Sequence, residues 1–230
     1  METAHTLANW KDSTFANSWA SGDVLADLLD FPRRMSAALV AQEITAPNAV
    51  IDVGSGPGAF LEIFLDEFPD ARGIWTDASE PMETIARERL ARFGDRVEYQ
   101  LVEMTDLSGS DLPTDADIIL SSRASHHLDA AGLASFYSQA AGRLRPGGWI
   151  VNLDHMGPSD GWDKRYRATR PRFTGPRREG REKHTHNYPL PSLEMHRDAL
   201  AGAGFSDVDV AWKAFATVLL MGAKSETTGS

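Results

Sequence analysis

One short run constrains this chain more than any other: Val50-Ile51-Asp52-Val53-Gly54-Ser55-Gly56-Pro57-Gly58-Ala59-Phe60. An apolar strand pattern runs into three alternating glycines and then into helical spacing. Glycine permits the tight reversal and lets a ligand come close to bare backbone. The sequence around the run repeats the alternation. Strands are expected at Ala49–Val53, Gly73–Thr76, Val97–Val102, Ala116–Ser121 and Trp149–His155, the last entered through an RPGG turn. Helical patterns follow the first, second and fourth of these, which argues a parallel sheet with helices packed on its faces. Ser79 with Glu80-Pro81 makes an N-cap and first turn for the second helix.

Before the glycine run, the spacing is helical from about Thr14 to Ala46, and Pro32 is expected to open a second helix there. After it, residues 157–191 are rich in Gly, Pro and Arg and read as an insertion over the sheet. A helix over 192–203 and two strands, Asp207–Trp212 and Ala216–Ala223, close the fold as a hairpin, so one of the two runs antiparallel. The expected class is α/β: a Rossmann-like, doubly wound, mostly parallel seven-stranded sheet. It is one domain in four parts: a helical cap (1–46), a ligand-binding core (47–156), the basic insertion (157–191), and a closing helix and strands (192–230).

The glycines admit two ligand readings, because Ala59 also completes the looser dinucleotide pattern G-x-G-x-x-A. Asp77 stands 19 residues past Gly58 at the end of the second strand, where a carboxylate accepts both hydroxyls of a ribose. Asp52 lies two residues before the first glycine; it suits a ligand ammonium and would repel pyrophosphate. Pro57 removes a loop N–H that phosphate would use. With 230 residues, no separate dehydrogenase domain is expected. These features favour S-adenosylmethionine over a nicotinamide dinucleotide.

At this point the chain resembles the small, stand-alone class I S-adenosylmethionine-dependent methyltransferases. VIDVGSGPGAF matches the family's first motif, with Gly54, Gly56 and Gly58 around the cofactor, and TDAS its second, with Asp77 and Ala78. RVEYQLVEMTDL is similar to the third. There the resemblance implies that Glu103, in place of the more usual Asp, receives the adenine amino group, with Met104 against the ring. DADIILSSRASHHLD and LRPGGWIVNLDH resemble the next two stretches. The resemblance covers residues 48–156 closely and 190–223 in general layout. It implies methyl transfer to a small molecule, with S-adenosylhomocysteine as product.

Methyl transfer needs donor and acceptor aligned and, for O–H or N–H acceptors, a proton removed. The acceptor is expected beyond the C-terminal ends of the fourth and fifth strands, among Arg123, His126, His127, Asn152, Asp154 and His155. His126 and His155 are the general-base candidates. His127 serves either as base or, as the resemblance implies, as wall of the cofactor pocket. Asp154 either orients a histidine or is a solvated strand end. Arg123 is expected near cofactor and acceptor, Asn152 near the acceptor. Trp19, with Trp10 and Phe15, belongs either to a helix core or to a cover over the pocket. Arg33 or Arg34 is a candidate for the cofactor carboxylate. No catalytic metal is expected, because Ser121-Ser122-Arg123 stands where metal-dependent relatives need a carboxylate; His184 and His186 read as solvated loop.

Charge bears on partners. The net charge is −10, yet Lys164–Lys183 holds nine Lys/Arg against two Glu, or +7, leaving −17 for the remainder. An acidic body with one basic segment is not the footprint of a nucleic-acid binder. It suits a local seat for an anionic acceptor, with Arg167 and Arg170 among the candidates. The absence of cysteine excludes thiolate metal sites, cysteine nucleophiles and the adduct route to cytosine methylation. No run approaches the ~18 apolar residues of a membrane span, and the N-terminus lacks a secretory pattern. A cytoplasmic monomer or homodimer without nucleic-acid or membrane partners is expected. O-methylation leads; N- or C-methylation, or a non-methylating reaction such as cyclisation, remains the alternative.

Overall fold

The computed structural model of the chain describes residues 12–14, 16, 26–174 and 189–226. In chain order the elements are α1 (Ala26–Glu43), β1 (Ala49–Val53), α2 (Ala59–Glu67), β2 (Arg72–Asp77), α3 (Glu80–Leu90), β3 (Val97–Leu101), β4 (Ala116–Ser122), α4 (Ala130–Arg143), β5 (Leu144–His155), α5 (Asp160–Thr169), α6 (Pro171–Thr174), α7 (Leu193–Gly202), β6 (Phe205–Ala214) and β7 (Thr217–Lys224). Short 3-10 turns lie at Ala91–Arg96 and Ser125–His127.

The seven strands form one sheet in the order β3-β2-β1-β4-β5-β7-β6. β1 pairs in parallel with β2 and β4, and β5 in parallel with β4. β7 inserts antiparallel between β5 and β6. The expected hairpin is present, and its second strand is the reversed one. The order reverses between β1 and β4, so their C-terminal ends open the crevice in which ligands of such sheets bind.

Alternation along the strands sends side chains to two apolar layers. On one face Val50, Trp75, Val151 and Leu153 pack with Phe60, Phe64 and Val40 of α2 and α1. On the other, Ile51, Ile119, Ile150 and Leu220 pack with Phe136, Tyr137 and Leu200 of α4 and α7. Three helices begin at hydroxyl or carboxylate caps, of which the sequence marked Ser79. Ser79 accepts from the Met82 N–H at 3.3 Å, Asp129 from Gly132 at 2.8 Å, and Ser192 from Met195 at 3.2 Å.

Two expectations need correction, and the insertion adds a detail. Pro32 does not open a helix; it lies inside α1. It removes the single bond to the Leu28 carbonyl, and Leu28 is exposed, so water can replace the donor. The RPGG turn belongs to the irregular start of β5, whose register jumps from Ala116↔Leu144 to Ile118↔Trp149. Asp117 clamps that bulge: it accepts from Arg145 Nε at 2.7 Å and from the Asn48 and Ala49 N–H groups at 2.7 and 3.1 Å. Finally, the insertion is helical at its start, through α5 and α6. Its two ends meet, because the Gly157 N–H donates to the Pro191 carbonyl at 2.8 Å.

Candidate active site

The glycine run turns between β1 and α2 under tight steric control. Gly54 has φ +65°, and a Cβ there would stand 2.5 Å from the Ala124 Cβ of the loop after β4. Gly58 has φ +78° and would meet Leu90 of α3 at 2.9 Å. Side chains lock the loop. The Trp75 indole donates to the Gly56 carbonyl at 2.8 Å, and the Thr76 hydroxyl to the Asp52 carbonyl at 3.0 Å. The Ser55 N–H donates to the Thr76 carbonyl at 2.9 Å. Trp75, Thr76 and Ser55 escaped the sequence reading. The signal available was their place beside or within the first two motifs, not their residue type.

Two carboxylates bracket this loop. Asp52 is fully buried and accepts from the Ser55 hydroxyl at 2.6 Å, while its Oδ1 has no partner among the described residues. Burial pushes its carboxyl up to about 6, against the Ser55 hydroxyl, the Arg33 guanidinium and the Leu61 N–H. Arg33 also lies over the Phe60 ring at 5.8 Å and donates to the Ser122 hydroxyl at 3.4 Å. Arg34, by contrast, is exposed and tied to Asp30. Of the two arginine candidates, Arg33 is the one that reaches the crevice.

Asp77 ends β2 and accepts from the Gly56 N–H at 2.9 Å and the Ser79 N–H at 3.0 Å. Burial raises its carboxyl above the ordinary range, opposed by the Gly56, Ser79 and Ala78 N–H groups and reinforced by the Glu103 charge. Glu103 itself is exposed just past β3, and Met104 is half-buried against the second apolar layer.

Across the crevice, the ends of β4 and β5 hold a histidine cluster. His126 is buried, with Nδ1 2.5 Å from Asp154 Oδ1. Its ring centroid lies 4.2 Å from that of His127 and 5.4 Å from that of His155. Asp154 is not a solvated strand end. It is fully buried and accepts from the N–H groups of Ala124, His126 and His155 and from the Ser125 hydroxyl. Burial would raise its carboxyl, but the His126 ring bonded to it, His155 and the Ser125 hydroxyl hold it far below the ordinary range. Burial, with the nearby Arg123 and Arg170 charges, pushes His155 down to about 3 against the pull of Asp154, which weakens it as a proton acceptor. Its Nδ1 lies 3.1 Å from the Thr217 hydroxyl.

The remaining candidates separate by position. Arg123 is half-buried with φ +56°, its N–H bonded to the Leu153 carbonyl at 3.1 Å. Arg170, exposed at the end of α5, is near enough to influence His155. Arg167 is turned to Asp163 at 2.6 Å on the exposed face of α5. Asn152 is 1% exposed; its amide donates to Ser125 and Tyr137. This corrects its expected acceptor contact, because its amide hydrogens are committed inside the protein. Trp19, Trp10, Phe15, His184 and His186 lie outside the described residues. Among the described residues no cluster suited to a metal ion is present.

Comparison with known proteins agrees with this fold. A family model described as a methyltransferase domain matches residues 51–150. The chain is 43% identical over 58 residues to a trans-aconitate 2-methyltransferase from Rhodopseudomonas palustris, a match covering 25% of this chain and 23% of that protein. It is 40% identical over 67 residues to a ribosomal RNA small subunit methyltransferase H from Corynebacterium diphtheriae, covering 28% and 20%. Among solved structures, an O-methyltransferase family protein from Burkholderia thailandensis superposes with a TM-score of 0.72 at 19% identity, over 94% of this chain and 61% of that one. Human N-acetylserotonin methyltransferase in complex with S-adenosylmethionine does so with a TM-score of 0.65 at 16% identity, over 95% and 58%. The aligned part is thus about a fifth to a quarter of these sequence relatives and about three fifths of the structural ones.

Proposed function

Because the chain carries a methyltransferase domain on a class I fold, we propose that it is an S-adenosylmethionine-dependent methyltransferase acting on a small molecule, by O-methylation. The observation that carries this is the pair of buried carboxylates on either side of the glycine turn. Asp52 has a buried oxygen without a partner, which suits an ammonium. Asp77 is already aligned by two backbone N–H groups and keeps acceptor capacity for ribose hydroxyls. Glu103 and Met104 would take the adenine, Gly54, Gly56 and Gly58 leave room for close approach, and Arg33 faces the carboxylate end. S-adenosylmethionine would supply a methyl group activated by its sulfonium.

The chain's own contribution on the acceptor side is proton removal and placement. Asp154 is an acceptor, so the His126 proton sits on Nδ1 and the Nε2 lone pair is left to take the acceptor's hydroxyl proton. Arg123 and Arg170 flank neutral His155 and would hold an anionic part of the acceptor. The carboxylate in the name trans-aconitate 2-methyltransferase supports an anionic acceptor.

The test is calorimetric titration with S-adenosylhomocysteine, followed by product analysis over a panel of hydroxylated and carboxylated small acids. His126→Ala should lower kcat by about 10²–10⁴-fold on a hydroxyl acceptor. A carboxylate oxygen needs no proton removed; a fall below tenfold ends the general-base role of His126, and product analysis tells an ester from an ether. Failure to bind S-adenosylhomocysteine ends the methyltransferase reading. Binding without methylated product, but with a rearranged one, would point to the cyclisation alternative.

A further inference from the structure

We propose that Tyr137 and His196, which lie on helices behind the sheet, are positioning residues for His126, acting through a one-directional chain of hydrogen bonds that ends on Asp154. The chain is continuous and buried. The His196 Nδ1 lies 2.7 Å from the Tyr137 hydroxyl. The Asn152 amide donates to that hydroxyl at 2.7 Å and to the Ser125 hydroxyl at 3.0 Å. Ser125 donates to Asp154 Oδ2 at 2.7 Å, and Asp154 Oδ1 meets His126 Nδ1 at 2.5 Å. Exposure of the five residues from His196 to Asp154 does not exceed 1%.

The direction of every proton follows from one end. Three backbone N–H groups reach Asp154, and a backbone N–H can only donate. The carboxylate therefore accepts throughout, and Ser125 must spend its single hydrogen on it. The Ser125 oxygen is then available only as an acceptor, so the Asn152 side chain must present its NH₂ group. Both amide hydrogens are used, one on Ser125 and one on Tyr137. The Tyr137 hydroxyl, already accepting, directs its own hydrogen to His196 Nδ1. His196 is thereby fixed as the neutral tautomer with its hydrogen on Nε2. That Nε2 has no partner among the described residues, and neither has Asn152 Oδ1. Burial also disfavours a charged His196, pushing it down to about 4.

Two buried polar atoms without partners are a cost, of order 1–3 kcal/mol each. Apolar residues at 196, 137 and 152 together would avoid both, and the sheet face around them is otherwise apolar. What the polar residues supply is alignment: with Ser125 held from behind, the carboxylate cannot rotate away from His126, and the histidine keeps one tautomer. A wrong tautomer would put a hydrogen where the base needs a lone pair. His196 stands on α7, which begins where the insertion ends, so the strut also ties the histidine to the docking of that helix.

The experiment uses the full chain with ¹⁵N-labelled histidine, read by NMR at neutral pH, with S-adenosylhomocysteine titrated into the same samples. In the wild type, His196 should show the Nε2–H tautomer and His126 the Nδ1–H tautomer. In Tyr137→Phe, the share of the His126 Nε2–H tautomer should rise about fivefold over its wild-type value, the factor that a loss of about 1 kcal/mol of alignment gives, while S-adenosylhomocysteine binds within about threefold of wild type. A His196 found as Nδ1–H in the wild type overturns the proposal without any variant having to fold. So does a folded Tyr137→Phe or Ser125→Ala protein in which His126 is unchanged. The use of His126 as a base rests on the methyltransferase reading. A chain that keeps these tautomers yet binds no S-adenosylhomocysteine would sink that reading and leave the strut standing.

Discussion

At the scale of single residues, Asp52 and Gly54 show how much the site costs the fold. Burial holds the Asp52 carboxyl at about 6, above its ordinary 3.8. The folded chain therefore binds that proton more tightly than the unfolded chain. As pH rises from about 4 to about 6 the unfolded state ionises first, and stability is lost, by roughly 3 kcal/mol in all once both are ionised. Asp52→Asn should remove most of this pH dependence, measured as urea unfolding at pH 4, 5, 6 and 7. The same residue should couple to ligand. An ammonium opposite Asp52 favours its ionised form, so binding S-adenosylhomocysteine at pH 6 should release about half a proton. Calorimetry in buffers of different ionisation heats reads this directly; no buffer dependence, or the same dependence in Asp52→Asn, would remove Asp52 from the ammonium site. Gly54 makes a second case. Gly54→Ala introduces the 2.5 Å contact with Ala124 and a side chain at φ +65°. A loss of about 2–4 kcal/mol is expected. Adding Ala124→Gly should restore the steric part and leave about 1 kcal/mol of backbone strain. If the double variant is no better than the single, the contact does not dictate glycine there.

At the scale of elements, α5 sorts the basic segment into working and idle charges. Arg167 is spent on an exposed pair with Asp163, worth at most about 0.5 kcal/mol. Arg170 is near enough for its charge to act on His155. On the acceptor that the panel identifies, Arg170→Glu should raise KM at least about fivefold and Arg167→Glu less than twofold, with S-adenosylhomocysteine binding unchanged in both. Equal effects of the two would return the segment to a plain solvated charge run. The elements also show where sequence was informative. β1, the glycine turn, β4 and the cap Ser79 were legible because each rests on local chemistry: alternation, φ above zero, or a hydroxyl at a helix start. Pro32 misled because the proline signal is local while α1 is held by its buried face, Leu29, Ala37 and Val40. The bulge at β5 was hidden because its clamp, Asp117, lies 28 residues away from Arg145. For the same reason the strut from His196 to Asp154 could not be read. Each member is an ordinary core or polar residue in sequence, and only the sheet brings residues 196, 137, 152 and 125 together. The demotion of His155 likewise depends on burial and neighbours, which spacing does not carry.

At the scale of the whole molecule, the partition of charge bears on the two kinds of relative. A ribosomal RNA methyltransferase and a trans-aconitate methyltransferase share stretches of this chain at similar identity, so the matches alone do not choose. The charge partition supports the small-molecule reading proposed above. An RNA-modifying protein must neutralise several phosphates with Lys and Arg, and its affinity falls steeply with salt as counterions return. This chain carries −10 overall and −17 outside Lys164–Lys183. Among the described residues of that segment, Arg167 pairs with Asp163, and Arg165 meets the Gly161 carbonyl and the Trp162 ring. A small anion needs only the one or two arginines beside His155, and its own charge is within reach of them. A polyanion must also lie against the acidic body, where repulsion acts over the ~8 Å screening length of physiological salt. A small-subunit ribosomal RNA fragment should therefore bind no tighter than about 10⁻⁴ M in 150 mM salt, the weak end of non-specific association. It should yield no S-adenosylhomocysteine when offered with S-adenosylmethionine. Micromolar binding together with methylated RNA would overturn the small-molecule assignment, while the fold and the cofactor site would stand as described.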